Sequence, residues 1–437
     1  MSRQADYRIE AAERDIEDAV SRADAAAGFR WATDSLMLQS ESLSSSAIEG
    51  VYSSLAGMSA PPNEQDLADE MALANWEMLD AAMELAMGYE PLTIDDLLEL
   101  HQALMIRGDN PAIAGRLRQG PGWVGEARRF GHGPIGARFI PPPHYAIPEL
   151  LDDLVDAVNR PADVSPLLHT ALVHAQFETI HPFHDGNGRV GRALVQICLG
   201  RSGLTRGVPL PISHALLAAR QTYYDELLKY QRYEGPPNDN HRSRCVEPLA
   251  MLFADCAHDA AQQARDAATR IDRMLESWQA KLLDSRSTSS IWLIAEELVR
   301  TPVFTVETMR EQTALPDKTV YRCVNQLASL GIIIPNDSRR NTVYTASEVL
   351  SIAEEVLRVR SRHADRTRPS STPGGRPARD RKRGSRSTAS PRDSGNSGGS
   401  SSVNRFLGQC PYVGPRSRMQ CIRPQGHNGQ HRYEKRA

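Results

Sequence analysis

The chain has 437 residues, with 51 Lys and Arg against 54 Asp and Glu and a formal net charge of −3. That length leaves room for roughly two to four domains, and 40% hydrophobic residues supply their cores. Near-neutral bulk charge excludes a wholesale nucleic-acid or membrane binder, although local patches can sit inside a balanced total.

The first residues, MSRQADYRIEAAERDIEDAV, are charged from the third position and hold no apolar run of signal-peptide length. No stretch reaches 18 apolar residues, so no membrane partner is expected. Residues 1–360 read overwhelmingly as helix, with apolar side chains recurring at three and four, as in Leu97, Leu100 and Leu104 or Leu168, Leu172 and Ala175. Cys198, Cys245, Cys256 and Cys323 fall in such stretches, which suits free thiols in a reducing cytoplasm. Between Gly115 and Pro148, Gly, Pro and aromatic residues crowd together. This reads as a hairpin flap, with Trp123 and Val124 in one arm and Arg138, Phe139 and Ile140 in the other. A connection this long inside a compact domain points to function.

An apolar helix over Pro166–Ile180 runs into His181-Pro182-Phe183-His184-Asp185-Gly186-Asn187-Gly188-Arg189-Val190-Gly191-Arg192. Pro182 disfavours helix at His181, so the helix stops there. Gly186 and Gly188 permit a tight turn, and a second helix starts near Gly188 and runs through Leu199. Glycines feeding a helix N-terminus expose N–H groups at the positive end of the dipole, an anion cradle. Arg189 and Arg192, three apart, add two guanidinium forks. Asp185 can hold a hard cation such as Mg²⁺ between phosphates, and His181 can take a proton near pH 7. An EF-hand beginning at Asp185 lacks its further ligands. A metal phosphohydrolase centre on His181, His184 and Asp185 leaves the arginines and glycines unexplained.

From about Ser287 the pattern becomes three helices (Ser290–Arg300, Val306–Thr313, Asp317–Leu330) and two strands (Ile332–Ile334, Thr342–Tyr344), the order of a winged helix-turn-helix. Lys318, Arg322 and Asn325 fall on its third helix, and Arg339 and Arg340 in its wing. DNA and a docking protein both stand as partners. Residues 363–405, nearly without apolar side chains, read as a disordered basic linker. In 406–437, Cys410, Cys421, His427 and His431 are spaced C-x10-C-x5-H-x3-H. They offer a tetrahedral Zn²⁺ set, but the long Cys–Cys gap departs from the familiar knuckle, so a zinc module and an unfolded tail both stand.

The 181–192 segment resembles the signature of the Fic (Fido) family of AMP-transferring enzymes, HPFx[DE]GN[GK]RxxR, at every specified position. Gly115-Arg116-Leu117-Arg118, Trp123-Val124-Gly125 and Ile140-Pro141-Pro142-Pro143 resemble the lead into and exit from that family's flap. His174 and Phe177 match its H-x-x-F, and Arg220-x-x-Tyr223-Tyr224 its post-signature helix, so the likeness spans roughly residues 35–285. It implies a mainly α fold with an N-terminal helical region (1–88) and a Fic core with a β-hairpin flap (89–285), to which the readings above add a winged helix-turn-helix (287–362), the disordered tail (363–405) and the small module (406–437).

By the same resemblance, His181 would deprotonate a Ser, Thr or Tyr hydroxyl of a target protein for attack on the α-phosphate of ATP. Asp185 would hold Mg²⁺ on the α- and β-phosphates. The Gly186–Gly188 backbone would form the anion hole, with Asn187 also on the phosphates. Arg189 would steady the nucleotide and Arg192 would bind the γ-phosphate. Ser45-Ser46-Ala47-Ile48-Glu49-Gly50 resembles the family's inhibitory [ST]-x-x-x-E-[GN]. Glu49 would offer Arg192 a bidentate carboxylate in the fork the γ-phosphate needs, with Ser45 on the same helix face. The expectation is an autoinhibited protein adenylyltransferase, released through a change such as homo-oligomerisation. The alternatives are a nucleotide sensor in a DNA-binding regulator, transfer of UMP or another phosphate-linked group, and removal of AMP by the same site.

Overall fold

A computed structural model describes residues 1–25, 30–62, 64–125, 136–160, 162–233, 243–282, 288–336, 342–357, 419–421 and 433–435. Helices dominate the first part of the chain: α1 (Arg3–Ala25), α2 (Arg30–Ile48), α3 (Leu55–Ser59), α4 (Leu67–Met87), α5 (Ile94–Met105), α6 (Ile147–Asn159), α7 (Pro166–Ile180), α8 (Asn187–Arg201), α9 (Ile212–Ala218), α10 (Arg220–Gln231) and the long α11 (Ser243–Leu282). Ile9, Ala12, Ile16, Ala19, Val20 and Ala23 recur at three and four along α1, and that stripe is buried with Leu249, Phe253, Ala257 and Ala260 of α11. The first helix thus shares its core with the last long one. Between them, α7 is apolar on nearly every side and packs on α6, α8, α10 and α11. The loop from His181 to Gly186 joins α7 to α8.

α2 breaks the usual rule that a buried helix is apolar. Gln39, Ser40, Glu41, Ser42, Ser44, Ser45 and Ser46 are all buried, and most find partners on neighbouring elements. Ser42 Oγ donates to the Ala72 carbonyl at 2.8 Å, and Gln39 Nε2 to the Arg300 carbonyl at 2.9 Å. Glu41 accepts from the Ser213 backbone N–H at 2.8 Å and from its hydroxyl at 2.5 Å. The apolar residues of α2 are divided among separate clusters: Leu36, Met37 and Leu43 join one with Trp278 and Ile291, Leu38 joins that of α5 and α7, and Ile48 that of α1 and α11. This helix is the joint where the cores meet.

The C-terminal unit comprises α12 (Thr288–Arg300), β1 (Val303–Thr305), α13 (Val306–Thr313), α14 (Asp317–Ser329), β2 (Ile334–Asn336), β3 (Val343–Thr345) and α15 (Ser347–Leu357). Two strands were expected, and the sheet has three, in the order β1-β3-β2, all antiparallel. Val303–Thr305 becomes the extra strand because Phe304, wholly buried, stacks on Tyr344 across the pair at 5.5 Å. The strand expected at Ile332 starts at Ile334 instead, since Ile332 and Ile333 are drawn into the core. Lys318, Tyr321, Arg322 and Asn325 share an exposed face of α14.

Arg339, Arg340, the 363–405 linker, Cys410, His427 and His431 lie outside the described residues, as does the side chain of Cys421. Near the end of the chain, β4 (Met419–Cys421) pairs antiparallel with β5 (Tyr433–Lys435). Among the described residues, no helix is long and apolar enough to cross a membrane, and Cys198, Cys245, Cys256 and Cys323 are free thiols.

Candidate active site

The site is built on the turn between α7 and α8. α7 stops at Ile180, as Pro182 requires, and His181 caps it with φ 50° and ψ 61° while its N–H donates to the Phe177 carbonyl at 2.9 Å. A non-glycine residue in the left-handed region costs about 1–2 kcal/mol and persists where its surroundings hold it. Arg118 supplies that hold. It is 2% exposed; its Nε donates to the His181 carbonyl at 2.8 Å, its Nη1 to the Gly120 carbonyl at 2.9 Å, and its Nη2 to the Pro142 carbonyl. Its backbone N–H reaches the Pro182 carbonyl at 2.9 Å. One guanidinium therefore bolts the His181 turn to both ends of the flap. The flap's stem closes where expected, with Val124 paired antiparallel to Phe139; residues 126–135 lie outside the described set.

Under the turn, His101 lies flat against Phe183, ring centroids 3.8 Å apart. The Gly115 N–H donates to its Nδ1 at 3.0 Å, so Nε2 carries the proton and donates to the Asp185 carbonyl at 3.1 Å. Burial holds this imidazole neutral, pushing its pKa down to about 4, so both bonds survive at neutral pH. Gly186 has φ 78°, and a Cβ there would come within 3.1 Å of Leu104 and 3.2 Å of the Met105 sulfur. Only glycine meets both demands. Asn187 departs from its expected place on the phosphates. Its side-chain oxygen accepts from the Phe183 N–H at 2.8 Å and its amide donates to the Phe183 carbonyl at 2.9 Å. The side chain clamps the turn, leaving the backbone N–H as its means of meeting an anion.

Arg189 and Arg192 rise from the first two turns of α8, 2% and 0% exposed. Arg189 has Nε and Nη1 without hydrogen-bond partners among the described residues, and its Nη2 is 3.6 Å from Asp185. Arg192 Nε donates to Ser45 Oγ at 2.9 Å, and its Nη2 to both the Ser45 carbonyl and Glu49 Oε1, each at 2.9 Å. The bidentate carboxylate expected of Glu49 is a single-oxygen contact: Ser45 takes Nε and shares Nη2, and Nη1 has no hydrogen-bond partner among the described residues. Glu49 Oε1 also lies directly over Gly188, where a Cβ would strike it. Gly50, at φ 87°, turns the chain away after it.

The buried guanidinium N–H groups without partners suit an anion. The Asp185 carboxylate is 61% exposed and its nearest cation sits beyond hydrogen-bond distance, which leaves its oxygens open to a hard cation. No group of three or more His, Cys, Asp or Glu among the described residues could enclose a metal. A Mg²⁺ held by Asp185 would take its other ligands from phosphate oxygens and water, its usual habit.

A sequence model of the Fic/DOC family matches residues 91–199, from just before α5 through the site loop and into α8. The chain carries a Fic/DOC domain. Among curated proteins it is similar to protein adenylyltransferase fic-1 of Caenorhabditis elegans, 32% identical over 34% of this chain and 27% of that protein. It is also similar to a probable protein adenylyltransferase of Aquifex aeolicus, 42% identical over 16% of this chain and 22% of that one. The chain thus spans about a quarter of the length of these relatives. A Fic family protein of known structure from Desulfovibrio desulfuricans aligns with 19% identity and a TM-score of 0.46, over 79% of this chain and 96% of that one.

Ser45 and Glu49 come from outside the matched Fic/DOC domain, carried in by α2. So does Tyr223 on α10, whose hydroxyl donates to Nε2 of His174 at 2.8 Å, while His174 Nδ1 donates to the Gly191 carbonyl at 2.9 Å. Tyr224 on the same helix donates to the Ile48 carbonyl at 3.0 Å, holding the end of α2. Sequence reasoning assigned no role to His101, Arg118 or Glu178. Arg118 stood in a quoted motif and His101 carried no signal at all. Glu178 was legible, being the lone carboxylate in a helix that carries no other charged acid or base besides histidine.

Proposed function

We propose that the Fic/DOC domain transfers AMP from ATP to a hydroxyl of a target protein, and that Glu49 restrains it. The observation that carries this reading is the meeting of Arg192 with Ser45 and Glu49. A wholly buried guanidinium at the mouth of a glycine-lined helix N-terminus is a γ-phosphate receptor, and here a carboxylate stands in the phosphate's place. The names of the relatives, a protein adenylyltransferase and a probable one, support the same chemistry.

In this reading, the N–H groups of α8's first turn and Arg189 cradle the phosphates, and Arg192 takes the γ-phosphate once Glu49 has moved. Mg²⁺ on Asp185 would neutralise phosphate charge. His181 accepts the target's proton as the hydroxyl oxygen forms its bond to the α-phosphorus, and pyrophosphate leaves with the broken P–O bond's electron pair. The flap offers main-chain groups to align the target segment by strand-like pairing.

The test is label incorporated into protein from α-labelled ATP and Mg²⁺, comparing wild type, Glu49→Gly, and Glu49→Gly with His181→Ala. Weak label in wild type, strong label in Glu49→Gly and none in the double variant is expected. Equal label in all three would overturn the roles of both residues. No label anywhere would overturn the transfer reading.

A further inference from the structure

We infer that Glu178 is a positioning residue for His181, its carboxylate set to balance the charge the imidazole gains when it takes the target's proton. This rests on the adenylyl-transfer reading above. Glu178 lies one turn before His181 on α7 and is 7% exposed. Its Oε2 is 3.9 Å from His181 Nδ1, and that nitrogen is buried. With Nδ1 facing Glu178, Nε2 is left for the target hydroxyl. The Glu178 backbone carbonyl also favours the imidazolium. A neutral carbonyl cannot compensate a full charge, and a carboxylate can.

Two features show that the fold makes room for this acid at a cost. Glu178 Oε1 is buried with no hydrogen-bond partner among the described residues, a condition unfavourable enough that an apolar residue would serve stability better. Opposite it on α8 stands Gly191, in a helix interior where glycine is normally a liability. A Cβ at Gly191 would come within 2.6 Å of Glu178 Oε1, 3.1 Å of Phe177 and 3.3 Å of His174. The glycine and the carboxylate fit one another.

The charged and titratable groups around Glu178 are His181 at the end of its own helix, Arg192 from α8, Glu49 from the turn after α2, and Tyr223 from α10. Burial raises the Glu178 pKa most, Arg192 opposes that and Glu49 adds to it, leaving it at about 8. Burial, with help from the Arg118 cation, pushes His181 down to about 4, too weak a base to be effective near neutrality. Ionised Glu178 corrects this, because a negative neighbour favours the imidazolium. Proton balance is simple: the target's hydroxyl proton moves to Nε2, the Nδ1 proton stays on the side of the carboxylate, and the imidazolium later loses the Nε2 proton to solvent. Glu49 then restrains the site twice, by occupying Arg192 and by disfavouring the ionised form of Glu178.

The experiment uses the full chain in the Glu49→Gly background, with α-labelled ATP and Mg²⁺, reading label incorporated into the chain itself from about pH 5.5 to about pH 9. The rate is expected to rise with pH as Glu178 ionises, at a lower pH than if Glu49 were present. Adding Glu178→Gln should reduce it about 10- to 100-fold at neutral pH and flatten that rise, with the KM for ATP unchanged. Glu178→Asp should keep part of the rate, and Gly191→Ala should reduce it by crowding the carboxylate. A second measurement is independent of turnover: the His181 ring signals followed by NMR, assigned against His181→Ala, should show a titration near pH 8 as the neighbouring Glu178 ionises, and that titration should be lost in Glu178→Gln. Unchanged rate, pH profile and titration in Glu178→Gln would overturn the inference. Absence of label in Glu49→Gly, or label surviving His181→Ala, would instead count against the transfer reading, and the titration alone would then decide the pairing.

Discussion

The contact between Arg192 and Glu49 makes a quantitative prediction about nucleotide selectivity. Arg192 is wholly buried and Glu49 is about one third exposed, 2.9 Å away. A charge-assisted hydrogen bond of this kind contributes about 1.5–3 kcal/mol. Incoming ATP must displace that contact before its γ-phosphate can use the fork. Since 1.4 kcal/mol is a factor of ten, removing the competitor should raise ATP affinity and kcat/KM about 10- to 150-fold. ADP has no γ-phosphate, so its affinity should change much less. Calorimetry with ATP and ADP, beside label incorporation, measures both quantities for wild type, Glu49→Gly and Glu49→Gln. Glutamine can still accept from Nη2 as a neutral group, worth about 0.5–1.5 kcal/mol, so its gain should fall between the other two. An ATP gain in Glu49→Gly no larger than the ADP gain would refute the reasoning, since Arg192 would then not be the γ-phosphate's partner.

Ser45→Ala removes the Oγ acceptor of Arg192 Nε but leaves Glu49 in place; a few-fold rise in label incorporation is expected, well short of Glu49→Gly. Asn187→Ala cuts both bonds to the Phe183 backbone, and calorimetric unfolding should show a loss of about 1–3 kcal/mol. Its label incorporation in the Glu49→Gly background should fall as the turn loosens. Stability should peak near pH 6.5, as read by unfolding midpoints across pH. On the acid side, His101, His174, His181 and His214 are each depressed to about 4 by burial. Their contribution is complete above the unfolded pKa and is lost as pH falls through the folded value. On the alkaline side, Glu41 and Glu178 are raised by burial to about 7 and about 8. Their contribution is present below the unfolded carboxylate pKa and is lost as pH rises through the folded values. Glu41→Gln should therefore flatten part of the decline above pH 6.5; an unchanged alkaline limb would show that Glu41 does not titrate there.

Much of the site was legible in the chain because its chemistry is local. Proline after histidine stops a helix, glycines open the next one, and arginines three apart share one of its faces; those rules act over a few residues and need no fold. The resemblance put Asn187 on the phosphates, and the structure shows both ends of its amide bonded to the Phe183 backbone. A bidentate Glu49 was also expected. Ser45 was expected on the same helix face as Glu49, but that its Oγ accepts from Arg192 Nε is visible only in the folded chain. In the C-terminal unit the helices were legible from periodicity, but the third strand was not, because three residues carry no period and Val303–Thr305 is extended only through pairing with β3.

The sequence by itself determined which groups could do the chemistry: His181, Asp185, the glycine turn, Arg189 and Arg192, all within one segment of chain. Tertiary structure decided how distant residues meet them. Arg118 reaches His181 from 63 positions away, and Glu49 reaches Arg192 from 143 positions away. His101 supports the Asp185 carbonyl across 84. Such pairings are set by how helices pack, and packing depends on the summed burial of many apolar side chains spread over the whole chain. The pKa values follow the same division, since residue type sets the starting value while burial, a property of the finished core, moves it.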